Sequence, residues 1–163
     1  MTSPLPAFIR SLLDTALPLF RNNVASEGGM MPVAYVGSTK EEKVAIVGMS
    51  FNTPSEKDQC ANTVRRLAKE TNADFIIFAA ESWTVPPEFT EDYMKNQHKY
   101  KGVSTYPHRQ EAVMISVETK DKVWSSICLI SREKDGVKLT PPEFTEVNAS
   151  QGRFSHLLGP RIV

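Results

Sequence analysis

The longest apolar run in the chain lies within Asp74-Phe75-Ile76-Ile77-Phe78-Ala79-Ala80-Glu81-Ser82-Trp83. Residues 75–80 do not alternate between apolar and polar types, and they are rich in aromatic and β-branched side chains. This pattern is typical of a strand that is buried on both faces. We therefore expect the central strand of a sheet here. Its end carries a carboxylate, a hydroxyl and an indole at Glu81, Ser82 and Trp83, so this sheet edge is the first place to look for function.

Composition places the chain in a broad class. With 163 residues it has the size of one domain, so we predict a single domain over residues 1–163. Lys plus Arg and Asp plus Glu number 19 each, and this zero net charge disfavours nucleic acid and anionic membranes as partners. No apolar stretch approaches the roughly 20 residues that span a bilayer. The isolated Cys60 and Cys128 are typical of thiols in a reducing compartment, which predicts a cytoplasmic protein.

Apolar periodicity predicts two helices and a series of short strands. Three- and four-residue spacing marks the helices, and a proline inside the first one, Pro18, predicts a kink or an end near Thr15. Hairpin-length connections join the strands and favour antiparallel pairing. The predicted fold class is α+β, with a mainly antiparallel sheet of five to six strands packed by two helices. The predicted helices are residues 6–20 and 55–71, and the predicted strands are residues 31–36, 43–49, 75–80, 111–118, 123–131 and 137–139.

Three segments stand outside this regular pattern. Residues 84–108 form a long connection, which suits a loop or lid with a function, and residues 152–163 are predicted to be a flexible tail. Pro-Pro-Glu-Phe-Thr-Glu occurs at residues 86–91 and again at residues 141–146. This repeat is either a reused local turn or a paired recognition element. The last predicted strand has nothing obvious to cover it, which predicts a homodimer through an edge strand.

The sequence lacks the common signatures of large cofactor enzymes. It has no Walker loop, no dinucleotide glycine fingerprint, no nucleophile-elbow serine and no pair of CxxC motifs. Its histidines are scattered, so we predict no metal and no cofactor; they are His98, His108 and His156.

One enzymatic alternative stays open. Glu118-Thr119-Lys120 resembles the Glu-x-Lys of metal-dependent restriction-like nucleases, in which carboxylates hold the metal ion near the scissile phosphate. This resemblance implies a Mg²⁺-dependent phosphodiesterase or nuclease. Its catalytic residues would be Glu81, Glu111, Glu118 and Lys120.

A second resemblance follows the central strand. An apolar strand, Glu81-x-Trp83, a variable charged loop, and Pro107-x-Arg109-x-Glu111 before the next strand occur in this order over residues 74–118. The arrangement resembles a group of small uncharacterised proteins of phages and bacteria. The resemblance supplies no activity, but it implies a phage or mobile-element origin and, for a phage protein, the cytoplasm of the host.

The same residues suggest a binding cluster. The planar fork of Arg109 suits a bidentate pair with Glu81 or Glu111, and Trp83 suits stacking on the guanidinium. Two alternatives are open: a salt-bridged latch that pins the loop to the sheet, or a pocket for a small polar or phosphorylated ligand. The predicted function is a non-catalytic binding or interaction protein. Its predicted partner is a host component or such a ligand, bound by Glu81, Trp83, Arg109 and Glu111.

Overall fold

A computed structural model describes residues 4–50, 52–148 and 157–158 of the chain. The helices are α1 (Ala7–Ala25), α2 (Pro54–Glu70) and the short α3 (Thr90–Asn96). The strands are β1 (Val33–Ser38), β2 (Lys43–Gly48), β3 (Phe75–Thr84), β4 (Gln110–Thr119), β5 (Val123–Glu133), β6 (Gly136–Leu139) and β7 (Thr145–Glu146). The predicted tail, residues 152–163, lies outside the described residues except for Leu157 and Leu158.

The strands form one antiparallel sheet in the order β2-β1-β3-β4-β5-β6, and the short β7 pairs with β5 beside this path. β3 lies between β1 and β4, which confirms it as a central strand. Its Phe75, Ile76 and Ile77 are buried, as the apolar run predicted. The predicted α+β class with a mainly antiparallel sheet is therefore confirmed.

Two helices cover opposite faces of the sheet. On one face α1 packs through Ile9, Leu13 and Phe20 against Phe75 and Ile77 of β3. Because side chains alternate along a strand, the odd-numbered residues of β3 and β4 face α1 and the even-numbered residues face α2. This alternation decides which of the candidate residues share a face. The core under α2 contains Ala34, Val36, Ala61, Val64, Ala68 and Ile76.

α1 continues through Pro18 and ends at Ala25, so the prediction that this helix ends near Thr15 is wrong. A proline inside a helix costs about 3 kcal/mol because it removes one backbone donor and crowds the preceding turn. Beyond it, Phe20 and Val24 are both buried in the core. Burying each such side chain contributes about 1.5–3 kcal/mol. The apolar contacts after the proline therefore offset its cost and keep the helix intact.

The repeated hexapeptide adopts two different structures. In the first copy Pro87–Phe89 form a 3₁₀ turn that leads directly into α3 at Thr90. In the second copy Thr145–Glu146 form β7 and pair with β5. The phenylalanine of each copy packs on other residues, Phe89 on His108 and Phe144 on the core under α1. The interpretation as a reused local turn is therefore wrong, because the tertiary contacts of each copy select its conformation.

Candidate functional site

Four polar and aromatic side chains converge where β3 ends and β4 begins. Trp83 pairs directly with Glu111 across the β3–β4 ladder. Both side chains lie on the face of the sheet that carries α1, because directly opposite residues share a face. Arg132 extends from β5 on the same face, and Arg109 immediately precedes β4. We call these residues, Trp83, Arg109, Glu111 and Arg132, the indole–arginine surface.

Arg132 makes a bidentate ion pair with Glu111. Its Nε donates to Oε2 at 2.9 Å and its Nη2 donates to Oε1 at 3.1 Å. These hydrogen bonds hold the pKa of the Glu111 carboxyl below its usual value, and they raise the pKa of the Arg132 guanidinium. A pair of Arg109 with Glu81 or Glu111 was expected from the sequence; instead Arg132 binds Glu111, and Glu81 accepts a backbone N–H.

The sequence does contain a signal for Arg132. The predicted hairpin of residues 111–118 and 123–131 places residue 130 opposite Glu111 once its register is counted from the turn. Arg132 is then the diagonal neighbour on the same face, within reach of a long side chain. The prediction missed it because the predicted strand stopped at Ser131, whereas β5 continues to Glu133.

Arg109 stacks on Trp83, as the sequence analysis expected. The guanidinium carbon lies 4.5 Å from the centroid of the indole. Its Nη1 donates to the carbonyl oxygen of Tyr106 at 3.0 Å. Among the described residues this carbonyl is the hydrogen-bond acceptor of the guanidinium. The indole is 42% exposed and Arg109 is also exposed. The contact therefore holds a planar cation against an accessible aromatic ring, an attraction worth about 0.5–1 kcal/mol at exposed sites.

The connection between β3 and β4 is folded around an aromatic cluster. Tyr106 is fully buried, and its hydroxyl donates to Asp92 Oδ2 at 2.6 Å. Its ring contacts Tyr93 at 5.0 Å and Tyr100 at 5.2 Å between centroids. Burial, with the Asp92 carboxylate beside the hydroxyl, raises the pKa of Tyr106 to about 12. This cluster fixes the Tyr106 carbonyl and so fixes the position of Arg109.

Glu81 lies on the same face but has a backbone partner. Its Oε1 accepts the N–H of Met30 at 2.9 Å. At Gly29 the backbone φ is +78°, and a Cβ there would come within 2.9 Å of Glu81 Oε2. Glycine therefore suits this position, since a side chain would strain the backbone and displace the carboxylate. Glu81, Ser82, Trp83 and Glu111 line a shallow cleft of about 220 Å³.

Glu118 and Lys120 lie far from this cleft. Glu118 faces α2, and it is seven positions along β4 from Glu111, which corresponds to about 23 Å at the rise of a strand. It is 4% exposed, and its carboxylate accepts the N–H groups of Leu157 and Leu158 at 3.0 and 3.1 Å. Lys120 follows the end of β4 and is exposed.

The structure therefore does not bring the proposed nuclease residues, Glu81, Glu111, Glu118 and Lys120, to one place. Within residues 4–50, 52–148 and 157–158 no group of three or more His, Cys, Asp or Glu side chains is arranged to hold a metal ion. Of the predicted binding residues, Glu81, Trp83 and Glu111 share one cleft and Arg109 covers the indole.

The fold and the site define an α+β protein with an exposed indole–arginine surface at one end of an antiparallel sheet. Comparison of the chain with family models, curated proteins and solved structures finds no match. In the part of the chain that the structure describes, no helix has the length and apolar character that a membrane span requires.

Proposed function

We propose that this protein is a non-catalytic binding protein that recognises a partner protein through the indole–arginine surface. The observation that carries the proposal is the exposed Trp83 ring, stacked on Arg109 near the end of the central strand β3. Tryptophan and arginine are the residue types that most often carry the energy of a protein interface. A buried aromatic cluster and a bidentate ion pair keep them in place, so little side-chain freedom is lost on binding.

The size of the cleft favours a protein partner over a small molecule. The cleft encloses about 220 Å³. Pockets that bury a drug-sized ligand enclose about 300–1,000 Å³. The volume is therefore suited to one side chain of a partner, with the surrounding surface making the remaining contacts.

The charges of the surface define the chemistry of that partner. Glu111 and Arg132 neutralise each other, whereas Arg109 has one backbone acceptor and a planar fork that reaches solvent. Such a fork binds a carboxylate in a bidentate manner. The exposed ring of Trp83 offers area to an apolar side chain. The expected partner segment carries an acidic residue next to an aromatic or aliphatic one, and the resemblance to phage and bacterial proteins favours a component of the host cell.

The same contacts weigh against acid–base chemistry at this site. A general acid or base must reach the proton that it transfers, and it needs a matched pKa. Glu81 binds the N–H of Met30, and Glu111 is paired with Arg132, which lowers its pKa. Both carboxylates are therefore engaged in holding the structure.

A displayed library of random peptides tests the proposal. The immobilised protein is used to select peptides, and we expect the selected peptides to share a carboxylate beside an apolar residue. Trp83→Ala should weaken their binding by more than about tenfold, since truncation of such an anchor costs about 2 kcal/mol. The matched control is Met114→Ala, because Met114 is 40% exposed on the opposite face of the sheet. Selected peptides that bind both variants equally well, or a selection that yields none, would contradict the proposal.

A thermal-unfolding screen tests the small-ligand alternative. The protein is heated with divalent metals, nucleotides and cyclic nucleotides, and the midpoint is compared with that of Arg109→Ala. A ligand that binds only the folded state stabilises it by about 2.7 kcal/mol at a hundredfold excess over its dissociation constant. We expect no shift. A shift that Arg109→Ala abolishes would replace the partner protein by a small polar ligand.

A further inference from the structure

β2 leaves one edge of the sheet open. It is the first strand in the order of the sheet, and among the residues that the structure describes it pairs with β1 alone, on one side. No residue of β2 is fully buried, and Ile46 at its centre is 61% exposed. Residues 44–48 are Val-Ala-Ile-Val-Gly, without a charge or a proline. An open apolar edge of this kind is a template for pairing with another strand.

The opposite edge is protected by ordinary means. β6 spans only Gly136–Leu139 and carries Lys138, whose ammonium lies 2.8 Å from Glu133 Oε2. α1 contacts β6, and Leu139 packs against the core under that helix. Short length, a lysine and a covering helix are the devices that prevent edge-to-edge association. In the described part of the chain, β2 has no lysine between residues 44 and 48; Val44 and Val47 reach the two cores, whereas Ile46 between them stays exposed.

The alternation of hydrogen-bonded and non-bonded pairs in the β1–β2 hairpin shows which backbone groups of β2 point outward. Met49 N–H donates to the carbonyl of Pro32 at 2.8 Å, so Met49 bonds inward to the preceding strand. In an antiparallel ladder, bonded and non-bonded positions alternate. Residues 43, 45 and 47 therefore also bond inward, and the N–H and C=O groups of Val44, Ile46 and Gly48 point to the free edge.

The outward N–H and C=O groups of β2 can pair with the same groups of a second copy. A two-fold axis perpendicular to the sheet at Ile46 places Ile46 opposite Ile46 of a second copy and Val44 opposite Gly48. Each of the three residues then donates one hydrogen bond and accepts one. On the other face Ala45 lies opposite Val47. Every facing pair is apolar, and the nearest charge, Lys43, faces Met49 instead of a like charge.

Met31 adds apolar area at this junction. Its side chain is 56% exposed, and its sulfur would lie 3.3 Å from a Cβ placed on Gly48. Met31 thus lies over Gly48 on the face that carries α1. In the two-fold arrangement Gly48 faces Val44 of the second copy, so Met31 reaches across the junction to that residue.

We propose that the protein forms a homodimer in which β2 pairs antiparallel with β2 of a second copy about Ile46. A second copy fits better than a foreign strand because the outward groups, the apolar side chains and the charges all match under one two-fold axis. The dimer joins two sheets into one, and it uses β2 where the sequence analysis pointed to the last strand. The inference does not depend on the proposed function.

Sedimentation equilibrium over a wide concentration range tests the dimer. We expect twice the chain mass of 18.2 kDa at high concentration and dissociation on dilution. Ile46→Lys should be monomeric at the same concentrations, because it places like charges across the axis. The matched control is Ile127→Lys, at a residue that is 44% exposed away from the edge, and it should remain dimeric. A wild-type protein that is monomeric throughout, or an Ile46→Lys variant that is as dimeric as the control, overturns the proposal.

Two further variants test the register and the fold. Ile46→Lys mixed with Ile46→Glu should restore a dimer, since opposite charges then face each other; a mixture that stays monomeric overturns the axis at Ile46. Ile46→Pro removes an outward donor and leaves the pairing with β1 intact, so we expect a folded monomer. Ala45→Pro removes an inward donor and should lower the thermal midpoint of the fold. A lowered thermal midpoint for Ile46→Pro together with a parent-like midpoint for Ala45→Pro would contradict the assignment of outward and inward backbone groups.

Discussion

Gly37→Ala should strongly destabilise the protein, because Gly37 is enclosed by two strands. Gly37 lies in β1, opposite Val44 of β2 and Phe75 of β3. A Cβ at this position would overlap the backbone carbonyl oxygen of Lys43 and would come within 2.8 Å of the Phe75 ring. The ring can turn only within a packed core, and the carbonyl can move only if the β1–β2 ladder shifts.

The overlap with a backbone atom determines how much the free energy of unfolding falls. Overpacking a core costs about 1–3 kcal/mol when side chains can move aside, and more when they cannot. Here the obstructing atom belongs to the backbone, so we expect a loss of about 3 kcal/mol or more in the free energy of unfolding. For a chain of this size, 1 kcal/mol corresponds to about 2–4 °C in the thermal midpoint. The midpoint should therefore fall by at least about 6–12 °C.

Urea and thermal unfolding measure this loss, with Gly48→Ala as the matched control. Among the described residues, a Cβ on Gly48 comes close to the Met31 sulfur alone, at 3.3 Å, and that end of a flexible side chain can move. The control should stay within about 0.5 kcal/mol of the parent. Both variants are made in the Ile46→Lys background so that association does not contribute. Equal stabilities for the two alanine variants would refute the packing argument.

Three further predictions concern titratable groups. Glu118→Gln should lower the free energy of unfolding by about 1.5–3 kcal/mol in urea titrations, since one backbone N–H then faces an amide donor; an unchanged midpoint would show that this contact contributes nothing. Tyr106 has its pKa raised from 10.0 to about 12, so its stabilising contribution is complete below pH 10.0 and is lost as the pH rises to about 12. Tyr106→Phe should accordingly show a smaller loss of stability over that interval, and parallel curves for parent and variant would contradict the raised pKa of the buried hydroxyl. Arg132→Ala should raise the pKa of Glu111 towards its usual value in an NMR titration, and an unaltered pKa would mean that the ion pair is not formed in solution.

Local pattern was sufficient to predict the sheet. The unbroken apolar run at residues 75–80 identified the central strand, and the short connection between the predicted strands 111–118 and 123–131 identified the hairpin of β4 and β5. Patterns of this kind persist because a buried strand needs apolar side chains whatever surrounds it. The end of α1 could not be predicted in the same way, since the contacts of Phe20 with the sheet offset the cost of Pro18. The repeated hexapeptide shows the same limit, because one sequence becomes α3 in one place and β7 in another.

The sequence predicted the contact between Arg109 and Trp83 in the candidate site, but it did not predict the ion pair between Arg132 and Glu111. Trp83 and Arg109 flank one connection, so the sequence brings them together, and the structure places them 4.5 Å apart. Which arginine pairs with Glu111 depends on the register of the next hairpin. Arg132 is better placed because it lies diagonally across a ladder that is already formed. Arg109 is thereby left to stack on the indole, so the choice of register decides that the second cation of the site lies beside Trp83.

A dimer through β2 would hold two indole–arginine surfaces in a fixed arrangement. A two-fold axis perpendicular to the joined sheet keeps both indole–arginine surfaces on the same side, the side that carries α1. Ile46 is level with Tyr35 and Ile77 across the sheet, and Trp83 lies further along β3. Strand spacing and rise then separate the two Trp83 residues by about 45–50 Å in an untwisted sheet. Two identical sites on one side favour a partner that is itself repeated, such as an oligomer or a surface array, because the second contact is then made at high effective concentration. A weak, side-chain-sized site is sufficient for stable attachment under that condition.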